Sequence, residues 1–486
     1  MAKKDELFIL IQSLSRSEKR HFKLFSTHSN EDANYIKLFD AIDKQDKYDE
    51  RQIKQQFKGK PFIKQLHVTK HYLREMILAA LRSFHNSISK DAELKELLRN
   101  VELLFNKELY TLCETELTKA EHLAERYELS LGRVEVLGWK RKLKQAIEPY
   151  NYDAFLNCVK EQKQAIEVVQ NSNDYWREMI MQTWLTMGST KPPGKVATKL
   201  KPAVTLDTQV LKHNTAYIKC LREGKSKQGE AELVKLVNLL EQYPHRLKEE
   251  PAPYISTINN LTSYYVFSKR DDEALALIAK AKAMYENFRL TTEKKSLLKQ
   301  VLRTYNIELE IYRDKNRKAK PDFSFVADTE KFLHTNRNKI PKDYMLSLWF
   351  QLAHIHFTHG RFDDALKWLN NILNNKFGDR RMDLQKSARM LNILVHFEQK
   401  NFFVLRYFID STRRFIKKHA EVTTYDDWIL RCFARASNLP EYEHKGIFKE
   451  LYHALFPPNE DAQIPDAVLD YIDYREWLKK KLRLKH

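Results

Sequence analysis

Three histidines crowd the stretch HIHFTHG, at positions 354, 356 and 359. On a helix His356 and His359 would be neighbours, whereas His354 and His356 would diverge. Zinc would need the neighbouring pair and a third ligand, and no Cys or acidic residue stands at ligand spacing. No metal is therefore expected, and His356 reads as a packing residue between paired helices. The loop GSTKPPGKV, Gly188 to Val196, shares some residues with a phosphate-binding loop. Its glycines are separated by five residues instead of four, Val196 replaces the required Ser or Thr, and two prolines remove amides that would cradle phosphate. It reads as a surface loop. Cys113, Cys158, Cys220 and Cys432 form no C-x-x-C pair and sit in apolar helical patterns. Reduced, buried thiols of a cytoplasmic protein are the expectation. No H-E-x-x-H, G-x-S-x-G or G-x-G-x-x-G occurs. With no convergent acid, base or nucleophile, the chain is expected to be no enzyme and to need no cofactor.

The elements that carry these residues are expected to be helices. Among 486 residues there are only 10 Gly and 14 Pro, against average usage of about 7 % and 5 %. Leu, Lys, Glu and Ala are abundant, which favours helix. With 43 % hydrophobic residues the chain is not expected to be disordered. The formal net charge of +19 favours acidic partners, nucleic acid or an anionic surface. The basic residues are interspersed with acidic ones along most helices. The start, MAKKDELFILIQSLSRSEKR, lacks the form of a signal peptide, since Asp5 and Glu6 interrupt the basic start and no small-residue cleavage site follows. No apolar run approaches the ~18 residues of a membrane helix, so a soluble cytoplasmic protein is expected.

Residues 1–90 read as a helical bundle. Ser15 and Glu18 have the S-x-x-E form of a capping box, opening a helix with Phe22, Leu24 and Phe25. Further helices are expected from Asn34 to Asp43, around Ile53 and Phe57, and through Leu66, Leu73, Ile77, Leu81 and Phe84. Within the last, IKQLHVTKHYLREMI looks like the second half of a helix-turn-helix. Lys64, His67, Thr69, Lys70, His71 and Arg74 would then reach nucleic acid. Its partner would be DERQIKQQF, but the intervening turn is long and contains KGKPF. A basic amphipathic helix inside a bundle accounts for it equally well.

From residue 95 to 418 the pattern becomes pairs of similar helices joined by short polar turns. Residues 188–202 and 312–324 interrupt the series as Lys- and Pro-containing loops, and 419–486 reads as a helical cap with a basic tail. In the best unit Trp349, Leu352, Ala353, His356, Gly360, Phe362, Ala365, Leu369 and Ile372 stand at set offsets. Small residues at 353 and 365 allow two antiparallel helices to approach, and Gly360 can take the positive φ that ends the first. This pattern resembles the tetratricopeptide repeat family. Ile258, Leu261, Tyr265, Ala274, Ile278 and Ala281 match it too, with Lys269 at the turn glycine's place. The sets Leu104, Tyr110, Cys113, Leu117, Ala120 and Cys220, Gly224, Gly229, Leu233, Leu236 match less fully. Gly229 and Ala274 lie about 45 residues apart, against a family period of about 34. An armadillo- or HEAT-like series therefore stays open.

The resemblance implies an all-α architecture, an N-terminal bundle followed by a solenoid of antiparallel helix pairs. It implies that first helices line a concave groove. Carried over position by position, the groove residues would be Asn259, Ser263, Val266 and Phe267, then Ser347, Phe350, His354, Phe357 and Thr358. Where chaperone-binding members of the family clamp a C-terminal carboxylate with Lys and Asn, Phe350 and His354, or Asn259 and Ser263, stand here instead, so that clamp is not expected. The implied function is a non-enzymatic scaffold for a protein or peptide partner. The alternative is a nucleic-acid-associated regulator whose repeats sense a partner.

Overall fold

The structure, a computed structural model, describes residues 5–27, 34–86, 89–188, 200–288, 295–313, 323–375, 377–419, 423–457 and 471–483. Among them every regular element is helical. None of these helices is long and apolar enough to cross a membrane. The chain divides into two compact units, Met1–Glu178 with Gly194–Gln209, and Met179–Pro193 with Val210–His486. Of the two interrupting loops, residues 189–199 and 314–322 lie outside the described residues, as do residues 484–486 of the basic tail.

The first unit opens with α1 (Glu6–Ser13), α2 (Arg16–Thr27), α3 (Asn34–Asp43), α4 (Glu50–Gln56) and α5 (Leu66–Phe84). The capping box forms: Ser15 N–H donates to Glu18 Oε2 at 2.7 Å, and Glu18 N–H donates to Ser15 Oγ at 3.3 Å. Leu7, Ile11, Phe22, Leu38, Phe39, Ile53, Leu73 and Ile77 make one core. A second core, with Leu94, Val101, Cys113, Leu117 and Val136, joins α6 (Lys90–Asn106), α7 (Tyr110–Arg126) and α8 (Ser130–Ile147). α9 (Tyr152–Thr186) and α10 (Leu206–Arg222) each begin in this unit and continue into the other.

The second unit continues through α11 (Ser226–Glu241), α12 (Pro244–Glu249), α13 (Pro251–Phe267), α14 (Asp271–Phe288), α15 (Lys295–Arg313) and α16 (Ser324–Asn336). It then runs through α17 (Lys342–Thr358), α18 (Phe362–Leu373), α19 (Met382–Glu398), α20 (Phe402–His419), α21 (Thr424–Ala436), α22 (His444–Leu455) and α23 (Tyr474–Leu482). One continuous core runs from Leu233 to Leu482, so the C-terminal helices share the solenoid's interior. Within the pairs, buried Ala274 and Ala281 of α14, Ala353 of α17 and Ala365 of α18 fill the seams. Gly229 serves the same end: a Cβ there would meet Cys220 Cβ at 3.4 Å.

Six of the hairpin turns share one closure. In each, a residue in the left-handed region ends the first helix: Glu108, Glu128, Gly224, Lys269, Gly360 and Lys400. The next N–H then bonds back five residues: Leu109 to Leu104, Leu129 to Ala124, Lys225 to Cys220, Arg270 to Tyr265, Arg361 to His356 and Asn401 to His396, at 2.9–3.0 Å. This is the Schellman closure, which satisfies a carbonyl left open by the helix end. Glycine suits it best, yet Lys269 and Lys400 adopt it at φ 55 and 57°.

Candidate partner-binding face

α13, α15 and α17, the first helices of consecutive pairs, lie side by side. A ladder of polar side chains ties them. Asn259 of α13 is fully buried; it donates to the Gln300 carbonyl at 2.9 Å and accepts from Thr304 Oγ1 at 2.8 Å. One seam further, Asn306 Oδ1 accepts from Ser347 Oγ at 2.9 Å and from Gln351 Nε2 at 3.1 Å. Such bonds let polar side chains sit between close-packed helices without stranding a donor.

On the open side of this ladder stands Arg303. Its Nη1 donates to Asn260 Oδ1 at 2.9 Å. No carboxylate pairs with it among the described residues. Burial holds its guanidinium below the usual arginine range, and the ionisable groups acting on it are the phenols of Tyr217 and Tyr344. Burial likewise raises the Tyr217 hydroxyl, which therefore stays neutral. The result is a half-buried cation with neighbours that are neutral. Arginine carries five N–H donors in a planar fork that matches carboxylate or phosphate. In a partly desolvated setting such charge-assisted bonds are short and strong.

The positions carried over from the repeat family land differently. Asn259, Val266, Phe350 and His354 are buried, so as folded they do not face an open groove. Ser263 and Ser347 are half-buried, and Ser263 Oγ donates to the Asn259 carbonyl at 2.8 Å. Phe357 and Thr358 are half-buried at the end of α17, with the Phe357 ring 6.0 Å from Phe362 and Thr358 Oγ1 on the Ile355 carbonyl at 2.9 Å. Phe267 alone of the set is largely exposed, at 83 %. The reason is packing: neighbouring helices flank α13 and α17 on both sides and bury the middle of each. Asn260, next to buried Asn259, is half-buried. Sequence reasoning missed Arg303, Tyr217 and Tyr344; the available signal was a single arginine inside the apolar phase of VLRTYNIEL.

Phe350 is covered by a further element. Tyr471 packs edge-on against it at 5.9 Å, and its O–H donates to Asp383 Oδ2 at 2.6 Å, the carboxylate that also accepts from Arg381 Nη2 at 2.8 Å. Burial alone would raise the Asp383 pKa, but the bonds from Arg381 and Tyr471 outweigh it and hold it at about 2. Six and ten positions on, Trp477 Nε1 and Lys481 Nζ donate to the two oxygens of Glu398 at 2.6 and 2.7 Å. The Trp477 indole sits among Phe397, Phe433 and Phe448. The C-terminal stretch thus lies along α19 from its first turn to its last.

The histidine cluster is a packing feature. His356 is buried, stacks on Phe323 at 5.6 Å, and has Nδ1 3.7 Å from the Asp364 carboxylate. Burial lowers its pKa. His359 Nδ1 lies 2.8 Å from the Ile355 carbonyl. Among the described residues no three His, Cys, Asp or Glu side chains are placed to hold a metal ion. The four cysteines are free thiols, with Cys113, Cys158 and Cys432 buried.

Lys64, in the 3-10 turn Pro61–Gln65 just before α5, and His67, His71 and Arg74 of α5 are exposed, but Lys70 is committed to Asp5 and to the Tyr48 hydroxyl at 2.9 Å. Thr69 Oγ1 donates to the Gln65 carbonyl at 3.3 Å, and Arg74 Nη2 to Glu75 at 3.1 Å. α4 packs on α3, while α5 packs on α2 and α3. α4 is thus not the close partner that a helix-turn-helix would need.

Comparison of the chain with models of known families, with curated proteins and with solved structures gave no match.

Proposed function

We propose that this chain is a non-enzymatic scaffold that binds an extended segment of a partner protein across α13, α15 and α17. Arg303 grips an anionic group of that segment, and Asn260, Asn306, Ser347, Tyr217 and Tyr344 offer neutral hydrogen bonds around it. One observation carries the reading: Arg303 is a half-buried cation with an amide partner and, among the described residues, no carboxylate. A fold that needed this arginine only for packing would be expected to pair its charge. The shared turn closure supports kinship with tetratricopeptide-like helical repeats, in which first-helix faces hold peptides. The nucleic-acid alternative has less support, because Lys70 is tied within its own bundle. A peptide array probed with the full chain tests the proposal. The wild type should select segments carrying an acidic or phosphorylated residue. Arg303→Gln should weaken them about tenfold or more, as loss of a charge-assisted bond implies. Selection indifferent to that substitution removes the reading.

A further inference from the structure

A separate feature lies on the second helices of the pairs. Between α18 and α20, above α19, is a cavity of about 540 Å³. Leu366 and Val404 form aliphatic walls, and His396 stacked on Phe408 forms another, with ring centroids 4.6 Å apart and planes at 13°. Asn370 adds one amide. His396 Nδ1 is buried and has no hydrogen-bond partner. At the mouth stand Phe403, 97 % exposed, and Tyr407, 65 % exposed. Two large aromatic residues in water beside an apolar cavity mark an interaction site more often than a folding need.

The rest of α20 says what would come there. Arg406, Arg414, Lys417 and Lys418 are exposed, and no carboxylate pairs with any of them among the described residues. Asp410, the acidic residue of this helix, lies 3.7 Å from Arg413. Positions 403, 407, 414 and 418 fall within about 60° of one another around a helix. One face therefore carries an aromatic end beside the cavity and a basic end about two turns further on.

We propose that this face of α20 docks an acidic amphipathic segment of a partner protein. A large apolar side chain of that segment enters the cavity between α18 and α20, and carboxylates about two helical turns away meet Arg414 and Lys418. Exposed aromatics beside cations also suit single-stranded nucleic acid. The aliphatic walls and the scarcity of polar groups inside the cavity favour a side chain over a base.

Selection from a random 16-residue peptide display library on the immobilised full chain tests this. Enriched peptides should pair one Phe, Trp or Leu with two or more Asp or Glu about seven positions away. Made synthetically, they should bind at least tenfold more weakly to Phe403→Ala/Tyr407→Ala and to Arg414→Glu/Lys418→Glu. All four positions are exposed, and circular dichroism with a melting curve confirms folding of each variant. The proposal is overturned if no enriched peptide depends on Phe403 and Tyr407, or if the enriched peptides lack acidic residues. It is equally overturned if a fifteen-residue oligothymidylate binds the wild type, displaces the peptides and loses affinity in the same variants, since that assigns the face to nucleic acid.

Discussion

The Arg303 guanidinium and the Asn260 side chain meet at 2.9 Å, and they join a cation to a neutral amide on a half-buried face. Among the described residues, no opposite charge offsets the cation's desolvation. Replacing it with an unbranched apolar side chain should therefore stabilise the fold. Arg303→Met is expected to gain about 1 kcal/mol, because an incompletely compensated buried charge is costly. The same variant should lose peptide affinity. A rise in melting temperature together with loss of binding would identify a residue kept for recognition; a fall in melting temperature would mark Arg303 as structural.

Asn259 should behave in the opposite way. Asn259→Ala removes the donor to the Gln300 carbonyl and the acceptor for Thr304, inside a seam closed to water. A loss of about 1–3 kcal/mol is expected from stranded buried groups. Chemical denaturation of the chain measures it. A peptide-binding change without a stability change would return Asn259 to the groove.

His356 predicts a pH effect. Its folded pKa lies below the ordinary value because burial disfavours the imidazolium. The unfolded chain takes up a proton near pH 6.5, and the folded chain resists it. Stability is thus full above that pH and falls as the pH drops below it. His396 is depressed by burial in the same way and adds to the slope. His356→Phe should flatten, without abolishing, the decline in melting temperature between pH 7 and 5. An unchanged slope would place the effect elsewhere.

Trp477 should control the cover on α19. Truncating this buried indole to alanine removes the bond to Glu398 and the contacts with Phe397, Phe433 and Phe448. Costs of about 3–5 kcal/mol are usual for such deletions. Limited proteolysis should then cut the C-terminal stretch well before the rest of the second unit. Equal cutting rates in the variant and the wild type would contradict the packing described.

For Lys70 the expectation is structural. Lys70→Met should lower the melting temperature of the chain, since it removes the half-buried cation that Asp5 and the Tyr48 hydroxyl share. Any salt-dependent affinity of the chain for duplex DNA, measured beside it, should not fall by more than the loss of one charge implies. A larger loss of DNA affinity in a stably folded variant would favour a nucleic-acid role for α5.

The helical class was legible from scarce Gly and Pro and from the spacing of Ala353, Gly360 and Ala365. The turn chemistry of the hairpins was less legible. Lys269, Lys400, Glu108 and Glu128 take the left-handed turn position without glycine, so the punctuation that marks a repeat is absent at those turns. Asn259, Val266, Phe350 and His354 were expected in an open groove and are buried, because offsets carried along one helix do not show which neighbouring helices cover it. Arg303 escaped notice because its meaning depends on what does not pair with it, a property of three-dimensional neighbours. The cover on α19 rests on pairs such as Tyr471 with Asp383, which no local periodicity encodes.

The side-by-side packing of α13, α15 and α17 sets a ruler for the ligand. Packed helix axes stand about 8–10 Å apart, so the run from α13 to α17 measures about 20–30 Å across with its flanks. An extended chain advances about 3.3 Å per residue. On the proposed reading, a bound extended segment would meet the three helices over about six to nine residues, the length a peptide series would have to reach before affinity levels off.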